Sequence, residues 1–227
     1  MMKNKLGFTL SEMLIALVII GALGVVLAPI ITRMMPDQNK VMIKRSYYVI
    51  TNTVKAMIDD DNLYSPFGAA GTGNETTPVF KDRPFANTNA VNYNGKDFSG
   101  TSKFRGLFME KIGAKSITNS TYSAKFKSSS ASGEVSVSGE GTRGTTKDGI
   151  RWTLIDDSTG NVAAYIRVDV NGNRNPNCYE GQSSCSSRTK DFDEYTVAVY
   201  NSGKIKVSVS DVWVQDVIDS TSSVSVE

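Results

Sequence analysis

The chain has 227 residues, with 25 Lys or Arg, 23 Asp or Glu and no histidine. A formal charge of +2 argues against attraction of the whole molecule to nucleic acid or anionic lipid, and the missing imidazole excludes Ser-His-Asp, Cys-His and His-liganded metal chemistry together. Apolar residues make up 40%, enough for one or two domains with a core. They concentrate at the two ends of the chain around a Gly/Ser/Thr/Asn-rich middle, the pattern of an exported, anchored protein rather than of a cytosolic enzyme.

The first predicted element runs from Met13 to Ile31, 19 residues without a charge. A bilayer core takes a helix of roughly 20 apolar residues. Lys3 and Lys5 precede the run and would stay on the cytoplasmic side. A cleavable secretory signal has the same outline, and Ala22-Leu23-Gly24 would serve as its small-x-small site. Two features weigh against that reading. Glu12 stands at the edge of the run, where a charge costs about 2.5 to 3.5 kcal/mol on insertion scales, and a disposable signal has no use for it. The small residue Gly7 precedes the apolar run, so a cut after it would remove the basic leader and keep the helix.

The stretch Lys5-Leu6-Gly7-Phe8-Thr9-Leu10-Ser11-Glu12, followed by the apolar run, resembles the N-termini of type IV prepilins and type II secretion pseudopilins. The resemblance covers roughly residues 5–58. It implies a leader at residues 1–7, a prepilin peptidase that cuts between Gly7 and Phe8 and N-methylates the Phe8 amine, and a transmembrane and assembly helix at residues 8–31. Gly21 and Pro29 fall where such helices are loosened. Further implications are a single-pass protein of the bacterial inner membrane with its C-terminal domain outside the cytoplasm, partnered by other pilin or pseudopilin subunits and an assembly platform protein. No cofactor and no catalytic residue are implied. Glu12 lies four residues after Phe8, so its carboxylate can meet the freed amine within one helix or that of a neighbouring subunit. Removing Glu12 is expected to spare insertion and damage assembly.

Residues 32–61 read as an amphipathic continuation of the helix. Pro29 and Pro36 predict kinks or local melting between Gly21 and Pro36. Asp37 is a helix-start residue, Ile43, Tyr47, Ile50, Val54 and Met57 form one apolar stripe, and Asp59 to Asp61 oppose the dipole at the end. Helical from Phe8 to Asp59, the spine would be about 80 Å long.

Residues 62–149 read as a loop region with short elements, among them a helix at Lys103 to Ile112. Between Ser116 and Thr146, 18 of 31 residues are Ser, Thr or Gly, too polar to bury much area, so a mobile hairpin or disorder is expected. Gly139, Gly141 and Gly144 match a dinucleotide-binding spacing, but no apolar helix follows, which leaves a glycine-rich turn. Lys81 to Lys127 carries nine basic and three acidic residues among Phe85, Phe98, Phe104 and Phe126. Its composition is that of a single-stranded nucleic-acid surface, against the bland reading of a solvated loop with its rings turned inward; the family resemblance adds an alternative function, a minor pilin whose Lys81 to Lys127 surface or Cys178 to Cys185 loop contacts DNA or a host surface.

Residues 150–227 read as an antiparallel β domain with a cysteine loop. Ile150 to Ile155, Val162 to Val170, Tyr195 to Tyr200 and Lys204 to Val209 are strand-like, joined in part by short Gly-containing turns. Val212, Val214 and Val217 supply a further strand or a docking segment. The fold class expected is α+β: a long N-terminal helical spine, half transmembrane and half amphipathic, packed on a C-terminal antiparallel sheet of about four strands, pilin-like. Cys178 and Cys185 pair as a disulfide in an oxidising compartment or stand as free thiols in a reducing one. Asp169, Asn171, Asn173, Asn175 and Glu180 take positions 1, 3, 5, 7 and 12 of a twelve-residue calcium loop. Arg174 replaces the glycine that such a loop needs, so Ca²⁺ and a plain Asn/Gly-rich turn both stand.

Overall fold

The computed structural model describes residues 10–34, 38–67, 78–129, 133–157, 160–172, 174–182, 185 and 192–220. Gly7, Phe8, Pro36, Asp37 and Asn173 lie outside the described residues. The chain divides into two compact units, Met1–Gln38 and Asn39–Glu227.

The first unit holds helix α1, Leu10–Met34. It is helical across Gly21 and Pro29, so the melting expected after Gly21 is absent as far as Met34. A proline forfeits one amide donor, and in a 25-residue helix the remaining ladder holds. Among the described residues no helix is long and apolar enough to cross a membrane. The membrane expectation therefore rests on the uncharged run of the sequence.

The second unit is built on helix α2, Gln38–Ile58. Ile43, Ile50, Val54 and Met57 are buried, as the stripe predicts, but Ser46 takes the place expected for Tyr47, which is half-buried. Ser46 Oγ lies 2.7 Å from the Tyr195 hydroxyl, a satisfied polar pair inside the apolar interface. This stripe joins Trp152, Leu154, Ile166, Val168, Val197 and Val199 in one core. The helix ends where three aspartates begin.

Six strands form the main sheet: β3 (Lys115–Phe126), β4 (Val135–Thr145), β5 (Arg151–Ile155), β6 (Val162–Asp169), β7 (Glu194–Tyr200) and β8 (Ile205–Val207). Each pairs antiparallel with the next in sequence, so consecutive strands are spatial neighbours. The four strands expected after residue 149 are β5 to β8, and the sheet crosses that expected boundary to take in β3 and β4. Of the hairpin or disorder expected here, these two strands form the hairpin, paired over their length. Its stability comes from the ladder to β5 and from Phe126 and Val137, which pack with Val162, Tyr165, Ala198 and Tyr200 in a second cluster. The Val209 amide donates to the Lys127 carbonyl at 2.9 Å, so the two outer strands meet at one corner. Gly139 to Gly144, expected as a turn, is part of β4.

Before the sheet, β1 (Val91–Tyr93) and β2 (Lys96–Phe98) make a small hairpin around Asn94 and Gly95, both at positive φ, the signature of a two-residue primed turn. Helix α3, Lys103–Lys111, falls where the sequence places it. Of the strand or docking segment expected at Val212 to Val217, the structure has the docking segment, helix α4, Val212–Asp219, packed into the main core. Trp213, Val214 and Val217 are its buried residues, one helical face rather than an alternating one.

Candidate functional site

Chemistry specific to this chain gathers at two places, the start of α1 and the connection between β6 and β7. At the first, Glu12 sits in the opening turn of α1, where a carboxylate complements the positive end of the helix dipole. Leu10, Met13, Leu14, Ile15, Leu17, Val18, Ile19, Ile20 and Leu23 are each at least 53% exposed. From Met13 to Leu23 they leave no polar face, and a helix that is apolar all round is made to be covered by lipid or by other protein. Gly7 and Phe8, the expected cleavage pair, lie outside the described residues, and Gly21 lies within the helix without local interruption.

The second place is closed by a disulfide between Cys178 and Cys185, whose Cα atoms are 5.9 Å apart. Asp193 organises the connection. Its Oδ1 accepts the Cys178 amide at 2.5 Å, and its Oδ2 accepts the Asn177 amide at 3.0 Å and the Asn171 side-chain amide at 2.6 Å. Burial raises the Asp193 pKa and these donors lower it. Asp169, 3% exposed, faces Arg151 at 2.9 Å. Burial pushes its pKa up to about 7 against the pull of Arg151, and the neighbouring Glu194 and Asp193 add to the rise.

The calcium-loop residues are therefore only partly brought together. Asp169 and Asn171 lie near Asp193, Asn175 Oδ1 accepts the Asn177 side-chain amide at 3.4 Å, and Asn173 is outside the described residues. Glu180 is engaged elsewhere, accepting the Trp213 amide at 2.8 Å at the start of α4. Among the described residues no group of three or more Asp, Glu, His or Cys could hold a metal ion. Asp193 was missed by sequence reasoning because it lies 22 residues beyond Asn171 and in no loop pattern.

Four of the nine basic residues of the Lys81 to Lys127 segment, Lys96, Lys103, Arg105 and Lys125, are engaged within the fold. Lys103 is 2% exposed, donates to the Asn87 carbonyl at 3.1 Å and sits 4.3 Å over the Tyr64 ring. Burial pulls its pKa down to about 8. Arg105 pairs with Asp156 at 2.6 Å, Lys96 with Glu110 at 2.6 Å and Lys125 with Glu134 at 3.4 Å. Phe85, Phe104 and Phe126 are buried and Phe98 is half-buried, so these rings form no open stacking platform of the kind that holds unpaired bases.

A polar groove of about 220 Å³ opens beside the β3–β4 hairpin, with Lys125, Glu134, Arg167, Glu194 and Asp211 among its lining residues. Arg167 Nη2 reaches both oxygens of Glu194 at 2.7 and 2.8 Å. The pair satisfies itself within the groove.

With the two places described, comparison with known proteins bears on the first. Residues 2–28 match the family model of the prokaryotic N-terminal methylation motif, which is the prepilin-type cleavage and methylation signature. The match spans Gly7, Phe8, Glu12 and Gly21. No curated protein and no solved structure matches the chain.

Proposed function

We propose that the chain is a structural subunit of a type IV pilus or a type II secretion pseudopilus, made as a precursor and polymerised through its N-terminal helix. The observation that carries this reading is the methylation motif at residues 2–28. The uncharged run from Met13 to Ile31 would hold the precursor in the inner membrane with the Asn39–Glu227 unit outside the cytoplasm. Prepilin peptidase would then remove residues 1–7 and methylate Phe8. The exposed apolar surface of α1 supports this reading, because a filament core of packed helices covers it as well as lipid does.

Glu12 has a defined part in assembly under this proposal. In a water-poor filament core its carboxylate faces the Phe8 amine of a neighbouring subunit, and a near opposite charge offsets the desolvation of both. In the membrane the same carboxylate is a cost. Glu12→Ala should therefore insert and be processed as the parent is, yet assemble poorly. Filament yield of a Glu12→Ala strain, measured beside membrane-fraction abundance, tests this: parental yield would refute the pairing.

A further inference from the structure

A groove of about 380 Å³ opens against α2, lined by Arg45 and Val49 of that helix, Lys111 of α3, Lys147, Asp148 and the buried Trp152. Its cations, Arg45, Lys111 and Lys147, share it with one carboxylate, and that carboxylate is occupied. Asp148 accepts from Thr146 Oγ1 at 2.5 Å and pairs with Arg45 at 3.1 Å. Lys111 lies 4.8 Å over the Tyr93 ring, a neutral partner, and the adjacent Glu110 is taken by Lys96 at 2.6 Å. Among the described residues neither Lys111 nor Lys147 has a carboxylate within ion-pair reach. The groove is positive, with the apolar Val49 and Trp152 between its charges.

The opposite imbalance stands at the end of the same helix. Asp59, Asp60 and Asp61 follow Ile58, the last residue of α2, where the helix dipole already disfavours negative charge. Asp59 and Asp61 are exposed. Among the described residues none of the three joins an ion pair, not even with Lys55 one turn earlier. Backbone bonds hold the turn in place: the Asp59 amide donates to the Lys55 carbonyl at 2.9 Å, and the Leu63 and Tyr64 amides donate to the Asp60 carbonyl at 2.9 and 3.0 Å. Leu63 and Tyr64 are themselves buried in the core. The acids are thus presented in a fixed arrangement without a counter-charge. Arg45 and Ile58 are 13 residues apart in α2, about 20 Å along its axis, so the groove and the acids of one chain do not meet.

We infer that the groove between Arg45, Lys111 and Lys147 receives the Asp59 to Asp61 turn of a second copy of the chain. The inference rests on the filament reading above and names a contact within it. Complementary patches at different heights on one helix make a head-to-tail contact. Such a contact repeats from copy to copy, and where the rotation does not close it generates a helical filament. Charges of this kind set register and partner choice more than raw affinity, so the contact aligns a subunit whose attachment comes from α1. A free inorganic anion would satisfy the lysines but leave the aspartates uncompensated.

The test is charge exchange in the full-length chain, in the cells that make it. Filament yield is measured beside membrane-fraction abundance and the mass of the mature N-terminus. Lys111→Glu with Lys147→Glu, and Asp59→Lys with Asp61→Lys, should each lower filament yield by roughly tenfold or more, because like charges then face one another. The processed chain should stay at parental abundance in both. Combining the four substitutions should restore yield to within about threefold of the parent, the coupling of groups in contact. Lys111 also rests on Tyr93; should its reversal lower abundance, the exposed Lys147 makes the same exchange as Lys147→Glu with Asp61→Lys. Parental yield in either reversed chain, or a combined chain no better than the reversed ones, overturns the contact. A parent chain that is not processed at Phe8 overturns the filament reading and the contact with it, so the two failures are read from different strains.

Discussion

A methyl group added at Gly141 would lie 2.5 Å from the Leu154 carbonyl oxygen of the neighbouring strand. That oxygen belongs to the backbone and cannot rotate away, so Gly141→Ala should cost about 1 to 3 kcal/mol. Denaturant unfolding beside Gly133→Ala, a position with open space around it, checks this; equal stability of the two variants would contradict it. Gly106 has the same logic with a side chain, since its added carbon would sit 2.6 Å from the Phe98 ring. In the sequence Gly106 stood out as a weak point of a helix and Gly141 as part of a glycine-rich turn. The reason for each did not, because it lies in a partner distant in the chain. Asp211 carries a second residue-scale prediction. Burial, with Glu180 and Glu134 adding, pushes its pKa up to about 7, against an ordinary 3.8, although the Thr196 amide donates to it. The folded chain therefore keeps a proton that the unfolded chain releases, and stability should fall as pH rises from about 4 to about 7. Asp211→Asn keeps an acceptor for Thr196 and removes the charge. Melting curves of parent and variant should diverge over that window in favour of the variant; parallel curves would contradict the assignment.

Elements whose apolar spacing is regular were legible from the sequence, and those set by distant partners were not. The stripe of α2 and strands β5 to β8 follow from periodicity alone, and α3 is found within a residue of its expected bounds. The β3–β4 hairpin was obscured by its Ser, Thr and Gly content, which marks low burial rather than absence of strand; most of β3 is exposed. The β1–β2 hairpin was there to be read in Asn94-Gly95 between two short runs. α4 hid because three valines suit a strand as well as a helix, and Glu180, which receives its Trp213 amide, is far upstream. At the candidate sites the same division holds: Glu12 is carried by a local motif, whereas Asp193 joins its cluster only through folding. The disulfide belongs to this scale too. Its cysteines are seven residues apart, and closing so short a loop stabilises by roughly 2 to 3 kcal/mol on the chain-entropy account. Replacing both by serine should lower the unfolding free energy by that amount under non-reducing conditions, measured by denaturant titration. A stability equal to the parent's would show that the loop is already ordered without the bond.

For the whole molecule, the division into Met1–Gln38 and Asn39–Glu227 matches a division of labour. The second unit buries its own core. The first exposes Met13 through Leu23 with no polar face, and it makes physical sense only when something else covers it. Assembly is therefore the function proposed for α1, with the C-terminal unit proposed as its cargo. The reading depends on the apolar helix being kept after processing, which separates it from a discarded secretory signal. Mass spectrometry of the chain recovered from membranes tests this most directly. The account predicts a polypeptide that begins at N-methylated Phe8 and retains the whole of α1; a chain that begins after Leu23, or one that still carries Met1 to Gly7 in cells with an active prepilin peptidase, would contradict it.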